Sequence, residues 1–186
     1  MTVGWPRAGP LLGGMIMTKP NLIYILADDM GYGDISALNE NCGFRTPNLD
    51  EMAENGICFT DAHATAAVCT PSRYGILTGR YNWRSRLKSS VMGGYSEPLI
   101  ERGRKTLTDM LKDNGYRTAM VGKWHLGMSF AKEEGFVEKP DFDACDHVDY
   151  AGKIEDSPVS HGFEYFYGIS ASLDLSLIHI SEPTRP

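Results

Sequence analysis

One stretch constrains the chain more than any other: Cys69-Thr70-Pro71-Ser72-Arg73, running on through Leu77-Thr78-Gly79-Arg80. Threonine is a good N-cap, and proline fits the first helical position because its missing N–H has no intrahelical role there. The pattern predicts a helix with Thr70 as cap and Pro71 as first residue, running to about Leu77 and ended near Gly79. Cys69 then stands at the positive end of that helix, facing backbone N–H groups that have no helical partner. Such a place can hold an anion or a developing negative charge. On local chemistry alone, a buried inert cysteine beside a capped helix fits at least as well.

The chain of 186 residues is 42% hydrophobic, enough for one core and globular in composition. Its formal net charge of -6 argues against nucleic acid or an anionic membrane as partner, so affinity for an anion has to come from local Arg, Lys or metal. The four cysteines, Cys42, Cys58, Cys69 and Cys145, show no C-x-x-C spacing, which speaks against structural zinc and leaves a disulfide among the other three open. No apolar run reaches about 18 residues, so no membrane span is predicted.

Met1 to Met17 reads as a poor signal peptide, broken at Gly13-Gly14; residues 1–18 are expected to be disordered or an over-called extension, with Met15 or Met17 as the start. That leaves the compartment unassigned: cytoplasmic by default, with periplasmic or secreted open. Ser176 to Pro186 resembles a translated sequencing adapter. Residues 19–175 are therefore expected to hold the folded part, as the N-terminal piece of a longer protein.

Between these ends, Asn21 to Leu26 is a continuous apolar run that reads as a central strand buried on both faces of a parallel sheet. Asp28 and Asp29 follow at its C-terminal end, where α/β sheets place their ligands. Two adjacent carboxylates repel and call for a cation or strong donors nearby; a solvated turn is the plainer reading. Thr46-Pro47 repeats the cap-then-proline pattern, with Leu49, Met52 and Ala53 on one helical face and Gly56 at the C′ position. Ile57 to Thr60 reads as a short strand, and His63 as a surface histidine. Tyr81 to Arg104 reads as an irregular loop whose Arg84, Arg86 and Lys88 either assist an anionic substrate or are simply solvated.

Thr106 to Asp109 resembles a capping box with Asp in the Glu place; Leu107, Met110 and Leu111 face one way, and Gly115 closes the helix. Tyr116 to Val121 reads as the next strand. Lys123 and His125 lie just past its end and, if the backbone stays extended, point to the same side. Beyond Phe130 the chain reads as an acidic loop; Asp141, Asp143, Asp146 and Asp149 with His147 lack the spacing of an EF-hand. The aromatics of His161 to Gly168 read as core, and Ser172 as a residue that can lie near the site.

Taken as whole strings, these stretches are more specific. C-T-P-S-R-x-x-x-L-T-G-R, from Cys69 to Arg80, resembles without departure the signature of the sulfatase family. Gly115-Tyr116-Arg117-Thr118 to Gly122-Lys123-Trp124-His125 resembles the family's second signature, and Asp28-Asp29 after a strand resembles its metal-binding start. The resemblance covers roughly Lys19 to Asp174. It implies an α/β fold, an alkaline-phosphatase-like sulfatase domain with a mixed, mostly parallel sheet flanked by helices, present here in incomplete form with exposed sheet edges.

The resemblance also implies a chemistry. The substrate is a sulfate ester. Cys69 is converted to formylglycine by a formylglycine-generating or sulfatase-maturing enzyme. One hydroxyl of the aldehyde hydrate attacks sulfur and expels the alcohol; the other, once deprotonated, collapses the adduct and releases sulfate. Asp28, Asp29 and the hydrate oxygen of modified Cys69 help to hold one divalent cation, Ca2+, which takes about 6–8 oxygen ligands. Arg73 pairs with the hydrate or the carboxylates. Lys123 meets a sulfate oxygen. His125, with an ordinary pKa of about 6.5, accepts the second hydroxyl's proton. The family's further ligands, an Asp and an Asn or Gln, with a second His and a second Lys, have no assignable positions in this chain. A phosphonate or phosphate monoester hydrolase of the same superfamily, and a truncated non-catalytic chain that at most binds an anion or metal, remain the alternatives.

Overall fold

The computed structural model describes residues 19–138 and 145–172. They fall into two compact units, one up to His63 and one from Ala64 onward. The expectations for residues 1–18 and 176–186, and for Asp141 and Asp143, lie outside the described residues.

In the first unit, helix α1 spans Pro47–Asn55 with proline in its first turn, as the sequence pattern requires. Thr46 does not cap it through its side chain. Its hydroxyl is taken up by a polar knot instead: it donates to Asp50 Oδ1 at 2.8 Å and accepts from the Ser36 N–H at 2.9 Å, while the Ser36 hydroxyl donates to Asp50 Oδ2 at 2.6 Å. That Ser36 bond, and then those from Thr46 and the Ala37 N–H, hold the Asp50 carboxyl below its ordinary pKa. Gly56 ends α1 in an extended rather than a left-handed conformation. Neither Asn21–Leu26 nor Ile57–Thr60 forms a strand, and Ile23 is 86% exposed. A central strand is defined by neighbours on both sides, and no ladder partner for this run exists among the described residues.

The second unit carries the core. Helix α2, Cys69–Thr78, and helix α3, Leu107–Asp113, accompany a two-stranded parallel sheet of β1, Ala119–Lys123, and β4, Tyr165–Ile169. Tyr74, Met92, Leu99, Ile100, Trp124, Leu126, Met128 and Phe166 form one buried cluster. Phe166 and Phe163 bear out the expected core role of that aromatic run. Tyr165 and Tyr167 do not: they alternate to the other face of β4 and are half exposed. The α3 start is the expected capping box: the Thr106 hydroxyl accepts from the Asp109 N–H at 3.1 Å, and Asp109 Oδ2 accepts from the Thr106 N–H at 2.9 Å. Its apolar face is only partly covered, with Met110 50% exposed.

Two further expectations are corrected. The strand expected at Tyr116–Val121 begins three residues later, because its ladder with β4 starts at Ala119 opposite Tyr165 and ends at Lys123 opposite Ile169. The acidic loop expected beyond Phe130 is instead an antiparallel pair, β2, Ala131–Glu138, with β3, Cys145–Asp149, whose register shifts between Lys132 and Val137. A register shift breaks the strict alternation by which strands are recognised in sequence. No helix among the described residues is long and apolar enough to cross a membrane.

The β1–β4 ladder brings two glycine backbones together, so that a Cβ on Gly168 would lie 1.7 Å from the Gly122 carbonyl oxygen. Backbone cannot step aside as a side chain does. Gly168→Ala is therefore expected to destabilise the second unit by about 1–3 kcal/mol, read as a lower midpoint in chemical denaturation. The C-terminal half of α2 is tied down by Glu101, which accepts from the Tyr74 hydroxyl at 3.1 Å, from Arg80 at 3.0 Å and from Arg104 at 2.7 Å. Partial burial raises the Glu101 pKa, but its own backbone N–H, Arg104 and Tyr74 outweigh that and leave it below the ordinary value. A carboxyl depressed on folding contributes stability above its unfolded pKa and loses it as pH falls through the folded one. Denaturation midpoints are thus expected to drop on acidification below the ordinary glutamate pKa. Glu101→Gln should flatten that dependence, with a contribution of about 1 kcal/mol or less because the side chain is 41% exposed to screening solvent.

Candidate active site

Helix α2 begins at Cys69, one residue before the expected cap, and Val68 is the flanking residue. Thr70 is not a cap, because its hydroxyl has a tertiary task. Fully buried, it donates to the His125 carbonyl at 2.9 Å and accepts from the Met92 N–H at 3.1 Å. The far end matches expectation: Gly79 adopts φ 66 and donates its N–H to the Gly75 carbonyl at 2.9 Å, closing the helix in a conformation glycine adopts without strain.

His125 completes a triangle. Its Nε2 lies 2.6 Å from the Met92 carbonyl. A carbonyl only accepts, so Nε2 carries the proton and Nδ1 is the basic atom of the neutral ring. The residue is 1% exposed and sits at φ 57, left-handed and therefore not in the extended conformation that would align it with Lys123. That backbone costs on the order of 1 kcal/mol. It is held by the Thr70 bond to the His125 carbonyl and by the His125 N–H, which donates to the Ser170 carbonyl at 2.9 Å.

Arg73, one turn into α2, donates through Nη1 to the Lys123 carbonyl. Lys123 is the last residue of β1, and its ammonium donates to the Ser172 hydroxyl at 2.9 Å. Between Lys123 and His125, Trp124 is the anchor: it is 1% exposed, donates from its indole to the Gly127 carbonyl at 2.8 Å and stacks on His161. His161 in turn lies 2.8 Å from an Asp156 carboxylate oxygen. The first turn of α2 is thus fastened to the end of β1 at two points, which brings Cys69, Arg73, Lys123 and His125 into one region with Ser172.

Asp28 and Asp29 belong to the other unit, where Asp29 adopts φ 58. Among the described residues, no group of three or more His, Cys, Asp or Glu gathers at a metal-binding spacing. The residues described do not by themselves form a calcium cage. Cys42, Cys58 and Cys69 are free thiols. A cavity of about 300 Å³ lined by Arg86, Glu97, Glu101, Arg102, Ser129 and Asp156 contains none of Cys69, Arg73, Lys123 and His125.

The sulfatase family profile matches residues 20–177. The chain belongs to the sulfatase family. It is 41% identical over 161 residues to an N-acetylgalactosamine-6-O-sulfatase of Bacteroides thetaiotaomicron, a match covering 87% of this chain and 28% of that protein. It is 40% identical over 158 residues to human steryl-sulfatase, covering 82% of this chain and 24% of that one. A solved structure titled for the metabolism of multiple glycosaminoglycans by Bacteroides thetaiotaomicron superposes with a TM-score of 0.68 at 42% identity, covering 84% of this chain and 29% of the other. This sulfatase chain thus spans about a quarter of the length of the relatives it matches, and its fold is part of the α/β sulfatase domain.

Sequence reasoning missed Thr70 and the Met92 backbone as supports of the site. The sequence shows a threonine before a proline, which is a capping signal, and nothing in it says that a carbonyl 55 residues away will claim the hydroxyl. Thr70→Val leaves the buried Met92 N–H without its acceptor. We expect a loss of about 1–3 kcal/mol by denaturation, with Thr70→Ser restoring most of it.

Proposed function

We propose that this chain carries part of the active site of a sulfuric ester hydrolase that cleaves a sulfate monoester to an alcohol or phenol and inorganic sulfate. The observation that carries the reading is the fastening of the Cys69–Arg73 turn onto Lys123 and His125 in a chain of this family. A sulfate monoester is an anion at which more negative charge develops as the alcohol leaves. Cationic groups and N–H donors held in advance are what such a reaction needs.

Each residue then has a task. Cys69, at the start of α2, is the site of conversion to formylglycine by a maturing enzyme; the modified residue supplies the nucleophilic oxygen. The helix N-terminus adds about 0.3–1 kcal/mol toward an anion beside it, so side chains carry most of the charge stabilisation. Lys123 contributes a point charge, which its bond to Ser172 orients. Arg73 uses one guanidinium nitrogen to hold the β1 end and places its charge on the helix that begins at Cys69. His125 accepts a proton at Nδ1, since Nε2 is committed to Met92. Asp28 and Asp29, in the first unit, would supply two carboxylates toward a Ca2+ ion, which when bound would lower a hydroxyl pKa and offset negative charge. Two carboxylates fall short of calcium's ligand number.

Hydrolysis of an aryl sulfate compared with phenylphosphonate, by protein carrying this chain and produced with a maturing enzyme, tests the reading. Aryl sulfate is expected to be the better substrate, and Cys69→Ala to lower turnover about a thousandfold or more while leaving the fold intact. Peptide mass spectrometry should find an aldehyde at position 69 in active material. Unmodified Cys69 in active protein, or a preference for phenylphosphonate, refutes it.

A further inference from the structure

The loop after α2 contains a feature with no part in the site described above. Tyr81 and Trp83 stack on each other with ring centroids 4.1 Å apart and planes 11° from parallel. Each uses one face for its neighbour, and they remain 49% and 55% exposed. Stacked in this way, the two rings present flat apolar faces to solvent. The stack is held in place: residues 82–84 form a helical turn, the buried Ser85 donates its hydroxyl to the Asn82 carbonyl at 2.6 Å, and Lys88 donates its ammonium to the Trp83 carbonyl at 2.7 Å. Leu87 packs on the core beneath.

Charge is concentrated at the same place. From Arg80 to Ser96 the chain contains Arg80, Arg84, Arg86 and Lys88 and no Asp or Glu, in a protein of net charge -6. Arg80 is neutralised by Glu101, and Arg86 is used on the Glu97 and Pro98 carbonyls. Arg84, next to Trp83 in sequence, is exposed, and so is Lys88, whose ammonium is held at the Trp83 carbonyl. Flat apolar faces suit the C–H face of a pyranose ring, and a guanidinium beside them suits a sulfate group. The 10 residues of α2 put this patch about 15 Å along the helix from Cys69.

We propose that the Tyr81–Trp83 stack with Arg84 and Lys88 is a binding surface for a sulfated polysaccharide chain, separate from the Cys69 end of α2. The choice of a sulfated ligand rests on the sulfate-ester reading above. The surface tethers a polymer by rings and sulfates remote from the ester being cleaved.

Calorimetric titration of the whole chain with dextran sulfate tests this, with uncharged dextran and double-stranded DNA as comparators. Dextran sulfate is expected to bind, more tightly than either comparator. Trp83→Ala and Arg84→Ala should each weaken it about tenfold, Trp83→Phe should retain most of it, and Lys105→Ala, at an exposed cation just before α3, should leave it unchanged. Arg84 is exposed, so its variant repeats the test independently of any folding effect at Trp83. The proposal is overturned if Trp83→Ala and Arg84→Ala bind as the parent does, if DNA binds as tightly as dextran sulfate, if Lys105→Ala alone abolishes binding, or if the patch instead drives self-association lost in Trp83→Ala. Failure of the sulfatase reading would appear as absent ester hydrolysis and would leave these titrations untouched.

Discussion

Everything in the second unit that bears on chemistry depends on three buried hydrogen bonds among Thr70, Met92 and His125. They join the first turn of a helix, the middle of a long irregular loop and the end of a strand. A buried polar group left without a partner costs more than a bond made gains, so each of the three segments is held by what the others would lose on departing. The left-handed backbone of His125 is tolerated for the same reason. Strain of that kind persists only where surrounding contacts over-determine it.

The arrangement separates support from function within single residues. Thr70 and the His125 Nε2 are spent on structure, and so is one nitrogen of Arg73. The Lys123 ammonium is likewise steered by Ser172. The Trp124 side chain, between Lys123 and His125 in sequence, is buried in the core cluster.

Much of this was legible in residue order. The α2 boundaries come from Pro71 near the start and Gly79 at the end, and the α3 start from Thr106 with Asp109; each is a local signal, since caps act over one turn. The failures are of a different kind. Asn21–Leu26 has the composition of a strand, but a strand exists only as part of a ladder, and composition cannot show whether the neighbours are present. The β2–β3 pair was hidden because its register shift spoils alternation. Lys123 and His125 were expected on one side of an extended segment. The turn at His125 is held by Thr70 and Ser170, which no window around residue 125 contains.

By itself, then, the sequence determined which residues can do chemistry and which helices carry them, because those depend on side-chain identity and on interactions within a turn. It also determined family membership, through two strings long enough to be specific. Tertiary structure decided what each polar atom is used for: that Thr70 braces rather than caps, that Nδ1 rather than Nε2 of His125 is the basic atom, and that Arg73 meets a carbonyl 50 residues away. Hydrogen-bond partners distant in sequence are chosen by packing, and packing is a property of the assembled core.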